Sequence, residues 1–123
     1  MIVLDSSAII NIIAGNQKGR EIEMKFGEDL VATTSISINE VLTGMNPKER
    51  EKIINFFNGL ELLDFNAKAA YKSIEIEEKL KTKEKIIGKL DIFIASICIL
   101  NDFTILTSDK DFKNIDGLKL ICI

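Results

Sequence analysis

The sequence of 123 residues contains no histidine, the side chain that most often transfers protons near neutral pH. This absence excludes hydrolases built on a Ser-His-Asp or Cys-His arrangement, zinc proteases with an H-E-x-x-H motif, and ribonucleases that use histidine as acid and base. Any catalysis must therefore depend on carboxylates, lysines, hydroxyls or a metal ion.

Cysteine and glycine are too scattered to form the common functional motifs. The two cysteines, Cys98 and Cys122, lie in apolar stretches without C-x-x-C spacing, which favours buried reduced thiols over a redox or zinc role. None of the seven glycines belongs to a G-x-G-x-x-G motif or a phosphate-binding loop. The common nucleotide-binding motifs are therefore missing.

Long apolar runs and a basic leader are also missing. The longest nearly apolar stretch, residues 92–100, is far shorter than the ~20 residues that span a bilayer. No lysine or arginine precedes Lys18, so we expect no membrane contact and a cytoplasmic protein. The length, with 46% hydrophobic and 28% charged residues, predicts a single folded domain over residues 1–123.

Short β-branched runs alternate with helical segments along the chain. Strands are predicted at residues 2–4, 30–33, 60–65, 104–107 and 118–122. Helices are predicted at residues 8–14, 18–26, 35–42, 48–58, 67–85 and 90–100. Because strands with continuous apolar runs are buried on both faces, this pattern predicts an α/β fold, a three-layer α/β/α sandwich with a central, mainly parallel sheet. Ligands of such sheets bind beyond the carboxyl ends of the strands.

Four acidic residues are expected at this edge of the sheet. Asp5 and Asp109 directly follow strands, Asp91 begins a helix without a polar face, and Glu40 lies in the first turns of another helix. Each alone could be an ordinary turn, cap or surface charge, but carboxylates ~4 Å apart repel by about 4 kcal/mol near a protein surface. A divalent cation relieves that repulsion, and oxygen ligands without histidine or cysteine favour Mg²⁺ or Mn²⁺. Such an ion can activate water for attack on a phosphodiester.

Four short motifs contain these acids. They are IVLDSS at residues 2–7, ISINEV at 36–41, LDIFIA at 90–95 and LTSDKDF at 106–112. As a set and in this order, they resemble the PIN-domain family, most closely its small VapC-type toxin members. The resemblance implies a metal-dependent ribonuclease with an α/β/α fold and, for a toxin, an antitoxin partner and a homodimer.

The resemblance also implies roles for individual residues. Asp5, Asp91, Asp109 and Glu40 would form the catalytic site, with Asp5 as the central metal ligand and Asp91 and Asp109 as further ligands. Glu40 would either bind the metal or orient its water. The residues implied to support this site are Ser6 and Thr107, through their hydroxyls, and Asp111, a second acid that some relatives use.

The balance of charge bears on RNA as a substrate. The net charge is −3, whereas binding to a polyanion requires basic groups. Residues 79–89 supply five lysines against one glutamate just before Asp91. We expect Lys83, Lys85 and Lys89 to contact RNA, although such a run is also typical of a solvated helix end.

The sequence thus predicts a Mg²⁺- or Mn²⁺-dependent endoribonuclease, with the toxin of a toxin–antitoxin pair as its most specific form. Two alternatives stay open. A receiver-like signalling module has a similar length and an acid cluster, but it needs adjacent acids after the first strand, where Asp5 precedes two serines, and Asp64 is the nearest candidate for its phosphorylated residue. A PIN-like RNA-processing or protein-binding domain that is not a toxin would share the same motifs.

Overall fold

The computed structural model describes residues 1–123 as a five-stranded sheet with helices packed on both faces. The strands are β1 (Ile2–Leu4), β2 (Val31–Thr34), β3 (Glu61–Leu63), β4 (Thr104–Thr107) and β5 (Lys119–Cys122). The helices are α1 (Ser6–Ala14), α2 (Gln17–Phe26), α3 (Ser35–Thr43), α4 (Arg50–Asn58), α5 (Ala67–Thr82) and α6 (Lys89–Asn101). Two 3₁₀ turns occupy Pro47–Glu49 and Lys110–Asn114.

The strands lie in the order β3-β2-β1-β4-β5, and every neighbouring pair is parallel. This confirms the predicted three-layer architecture, with a sheet that is wholly rather than mainly parallel. A receiver-like sheet has the order 2-1-3-4-5. The receiver-like alternative is therefore wrong, because here β1 pairs with β2 and β4.

The predicted helices and strands are all present, with shifted ends. The third strand has three residues rather than six, and the helix expected from residue 48 begins as a 3₁₀ turn. Helix α5 ends at Thr82 rather than near residue 85, because Glu84 adopts a left-handed conformation with φ 57°. There the Lys85 N–H donates to the Leu80 carbonyl at 2.9 Å, which satisfies a carbonyl of the last helical turn.

The sheet separates two hydrophobic cores, since successive side chains of a strand point to opposite faces. Val3 and Ile105 pack on one side with α5 and α6, whereas Leu4 and Leu106 pack on the other with α1 to α4. All four side chains are fully buried. None of the helices is long and apolar enough to cross a lipid bilayer.

Helices α1 and α2 pack tightly against each other at Gly19. A Cβ atom at this position would overlap the carbonyl oxygen of Asn11 and lie 2.6 Å from its carbonyl carbon. Only glycine allows this approach. The contact holds α1 in place, and the first turn of α1 carries several of the polar side chains described next.

Candidate active site

The central strands β1 and β4 bring Asp5 and Asp109 to one edge of the sheet. The two strands are adjacent and parallel, with Leu4 opposite Leu106, so the chain leaves both at the same end. Asp5 caps α1 and accepts a hydrogen bond from the Ala8 N–H at 2.9 Å. Asp109 caps the second 3₁₀ turn in the same way. Each acid therefore occupies the turn from a strand into a helix.

Helices α3 and α6 supply the other two predicted acids. Glu40 lies in α3, where its Oε1 accepts a hydrogen bond from the Ser6 hydroxyl at 3.0 Å. Asp91 lies in the first turn of α6. A negative charge is favoured there by the helix dipole, but Asp91 makes neither an ion pair nor a side-chain hydrogen bond, so no contact within the protein stabilises its ionised form.

The pKa of Asp91 reflects both its burial and the charges of the other acids. Burial raises it first, and the negative charges of Asp109, Glu40, Asp5 and Asp111 raise it further, to about 7. Because Coulomb repulsion weakens with distance, these charges must lie around Asp91. The structure thus brings together the four predicted acids and Asp111, although they are spread over more than a hundred positions of the sequence.

Asp5 is the most deeply placed of these acids, with an exposed fraction of 2%. Its Oδ2 accepts a hydrogen bond from the Thr107 hydroxyl at 2.6 Å, and the Ser7 hydroxyl donates to Oδ1 at 2.8 Å and to Oδ2 at 3.0 Å. Burial raises the pKa of Asp5, while the hydrogen bonds from Thr107, Ala8 and Ser7 lower it, and the net pKa is raised. These hydrogen bonds therefore offset only part of the rise in the Asp5 pKa that burial causes.

The supporting residues fall into two groups. Thr107 contacts Asp5, whereas Ser6 contacts Glu40, so the two hydroxyls hold different acids. The Asp111 N–H donates to Asp109 Oδ1 at 2.9 Å, which ties the Asp111 backbone to the cluster. Ser7 was not among the residues predicted to support the site. Its position two residues after a strand-terminal acid is the one signal that could have identified it.

The lysines proposed to contact RNA are not part of this acid network. Lys83 forms an ion pair with Asp116 at 2.6 Å, a hydrogen bond that lowers the pKa of Asp116. Lys89 lies 3.7 Å from Glu77, and Lys85 is exposed without an ion pair. Contact with a phosphate would thus compete with an existing partner at Lys83 but not at Lys85.

The donor set of the cluster fits a hard divalent cation. Every donor is an oxygen atom, and none of the four ion pairs of the protein involves the acids of the cluster. Oxygen ligands of this kind suit Mg²⁺ or Mn²⁺. Burial raises the pKa of the Cys98 thiol to about 12, so a thiolate is not offered as a ligand.

The carboxylates do not form a closed metal-binding group as they stand. No three acidic, histidine or cysteine side chains are arranged to share one ion. Like charges without a basic neighbour repel one another, so an open arrangement is expected. A bound cation would have to draw the carboxylates towards itself.

Comparison with known proteins gives the family. Residues 2–118 match the model of the PIN domain. The chain belongs to the PIN-domain family. Ribonuclease VapC2 of Rickettsia felis is 31% identical to it over 105 residues, which cover 80% of this chain and 78% of that protein. The resemblance stated from the four motifs is thereby confirmed.

Solved structures of PIN-domain proteins show the same fold. The crystal structure of VapBC2 from Rickettsia felis, bound to a DNA fragment from their promoter, superposes with a TM-score of 0.85 at 30% identity and covers 100% of this chain and 99% of that one. VapBC-1 from nontypeable Haemophilus influenzae gives a TM-score of 0.84 at 20% identity, with 99% and 98% of the two chains covered. The second likeness concerns the fold alone.

Proposed function

We propose that this PIN-domain chain is an endoribonuclease that depends on Mg²⁺ or Mn²⁺. The observation that carries the proposal is the convergence of Asp5, Glu40, Asp91 and Asp109 at the carboxyl edge of the sheet without a compensating basic side chain. Likeness to a protein named Ribonuclease VapC2 supports RNA as the substrate. The absence of histidine is consistent with metal-assisted hydrolysis.

Each acid has a proposed task. Asp5, Asp91 and Asp109 would hold the cation, and Glu40, held by Ser6, would be a further ligand or orient a water. A divalent cation bound there would lower the pKa of water and stabilise charge on the phosphate oxygens. Asp91, with its pKa of about 7, would keep a proton near neutral pH until a cation displaces it.

RNA binding is assigned to the lysine-rich segment before α6. Lys85 is exposed and free of ion pairs, so it could contact a phosphate directly. Lys89 and Lys83 would first have to leave Glu77 and Asp116. Since the proposed substrate is cellular RNA, the proposal includes a cytoplasmic location.

We further propose that the enzyme is the toxin of a toxin–antitoxin pair and forms a homodimer. Support comes from its likeness to VapBC2 over 100% of the chain. If so, expression in a bacterial host should arrest growth, and a small protein encoded by a neighbouring reading frame should relieve the arrest and co-purify. Normal growth during expression of an active nuclease would favour an RNA-processing enzyme instead.

The direct test is cleavage of RNA by the purified protein with Mg²⁺ or Mn²⁺ and with a chelator. The natural protein should cleave only with metal, and Asp5→Asn should be inactive because the buried acid loses its charge. Asp29→Asn is the matched control, since Asp29 is exposed at the opposite edge of the sheet, before β2. Cleavage by Asp5→Asn at the natural rate would reject the site.

A further inference from the structure

Two hydroxyls hold Asp5 with the same pattern of hydrogen bonds. Thr107 Oγ1 donates to Asp5 and accepts from the Asp109 N–H at 2.9 Å. Ser7 Oγ donates to Asp5 and accepts from the Ser108 N–H at 3.1 Å. Each hydroxyl thus joins the acid at the end of β1 to a backbone amide just after β4. Each hydroxyl has one proton, and the contacts to Asp5 at 2.8 and 2.6 Å are shorter than the 3.1 Å between the two hydroxyl oxygens, so we assign both protons to Asp5.

These bonds hold both oxygens of the Asp5 carboxylate and limit how many lone pairs are left for a cation. An ionised carboxylate has about four lone-pair sites. Oδ1 accepts from the Ala8 N–H at 2.9 Å and from Ser7 at 2.8 Å, and Oδ2 accepts from Thr107 at 2.6 Å. Ser7 Oγ also lies 3.0 Å from Oδ2, so its one proton is shared between the two oxygens. Three donors on about four sites leave about one lone pair of the carboxylate free.

The contacts of Ser7 go beyond those of a helix cap. The cap of α1 is Asp5 itself, through the Ala8 N–H. Ser7 instead donates back to the capping carboxylate and accepts from an amide that is 101 positions away in the sequence. A serine needed only to start the helix would not make this second contact.

We propose that Ser7 is a positioning residue for Asp5: its hydroxyl orients the carboxylate so that a lone pair stays available to a hard divalent cation, and it fixes Asp5 relative to the segment that carries Asp109. The inference deepens the proposed function and rests on it. Outer hydrogen-bond partners of metal ligands commonly change metal affinity about 10- to 100-fold. Loss of the Ser7 hydroxyl should therefore weaken binding of the cation.

The test is the dissociation constant for Mn²⁺ alone, measured by titration calorimetry on the natural protein and three variants. Ser7→Ala should bind Mn²⁺ about 10-fold more weakly, and Ser7→Thr, which keeps a hydroxyl, should bind nearly as the natural protein does. Asn11→Ala is the matched control. The Asn11 amide donates to the Ser7 carbonyl at 2.9 Å and to Ser108 Oγ at 3.2 Å, so it joins the same segments without contacting Asp5.

The outcomes separate this inference from the proposed function. Unchanged Mn²⁺ affinity in Ser7→Ala, or an equal loss in Asn11→Ala, overturns the role of Ser7 while the natural protein still binds Mn²⁺ and cleaves RNA. Affinity in Ser7→Thr as weak as in Ser7→Ala overturns the role of the hydroxyl. Failure of the natural protein itself to bind Mn²⁺ overturns the proposed function. Circular dichroism of each variant verifies that it is folded.

Discussion

Replacing Asp91 by asparagine should stabilise the protein and abolish its proposed activity at the same time. The pKa of Asp91 is raised from 3.8 to about 7 by burial and by the neighbouring acids. The folded state therefore binds more protons than the unfolded state between pH ~4 and ~7, and stability falls as pH rises through this window. Asparagine resembles the protonated acid, so the variant does not lose this stability as pH rises.

The magnitude follows from the shift. One pKa unit corresponds to about 1.4 kcal/mol, so the full shift would amount to about 4 kcal/mol. Asp91 is only half-buried, and solvent screening reduces the expected gain to about 2 kcal/mol above pH 7. For a chain of this length that is a rise in Tm of about 8 °C. At pH 5 the gain should shrink to roughly a third.

The assay is thermal unfolding with a chelator at pH 5 and pH 8, comparing Asp91→Asn with the natural protein. Asp29→Asn again serves as control for the loss of one negative charge at an exposed position. Added Mn²⁺ should raise the Tm of the natural protein but not that of Asp91→Asn, because only the natural protein keeps this ligand. In parallel, Asp91→Asn should not cleave RNA.

Two results would refute this reasoning. One is a rise in Tm at pH 8 no larger for Asp91→Asn than for Asp29→Asn. The other is a rise that is the same at pH 5 and pH 8, since the destabilisation would then not come from the ionised carboxylate. Either result would mean that burial and the neighbouring acids do not raise the pKa of Asp91 as described.

Three further changes test other parts of the structure. Gly19→Ala should destabilise the protein by about 1–3 kcal/mol in urea unfolding, because the new methyl group overlaps the Asn11 carbonyl; unchanged stability would mean that α1 and α2 are not so close. Thr107→Val keeps the shape but removes the donor to Asp5 Oδ2, and should cost about 1–3 kcal/mol in the same assay; no loss would contradict this bond. A thiol reagent should modify one cysteine of the folded chain and both after unfolding, since Cys98 is buried with its pKa raised to about 12 and Cys122 is partly exposed; rapid reaction of both would contradict the burial of Cys98.

The fold could be predicted because local sequence patterns encode its helices and strands. Short β-branched runs predicted the strands, and the helical segments between them predicted the helices. The errors at the predicted ends of the elements also have local causes. The end of α5 was predicted at residue 85 rather than at Thr82. Nothing in a lysine-rich segment indicates that Glu84 adopts a left-handed conformation.

The acids of the site could be found because residues that follow parallel strands share one edge of the sheet. The hydrogen bonds that hold these acids in place could not be predicted. The bonds from Thr107 to Asp5 and from the Ser108 N–H to Ser7 depend on β1 and β4 being neighbours in a particular register, which no short stretch of sequence encodes. The ion pair of Lys83 with Asp116 joins residues 33 positions apart. It could not be predicted either, because it depends on how distant segments pack.

The position of β1 in the middle of the sheet has a consequence for synthesis on the ribosome. Its partner β4 is translated much later, because the bonded residues Asp5 and Thr107 are 102 positions apart in the sequence. Until β4 emerges, the first strand has an unpaired side and the acids of the two strands cannot meet. A polypeptide truncated before β4 should therefore lack the cluster of acids on which the proposed activity depends.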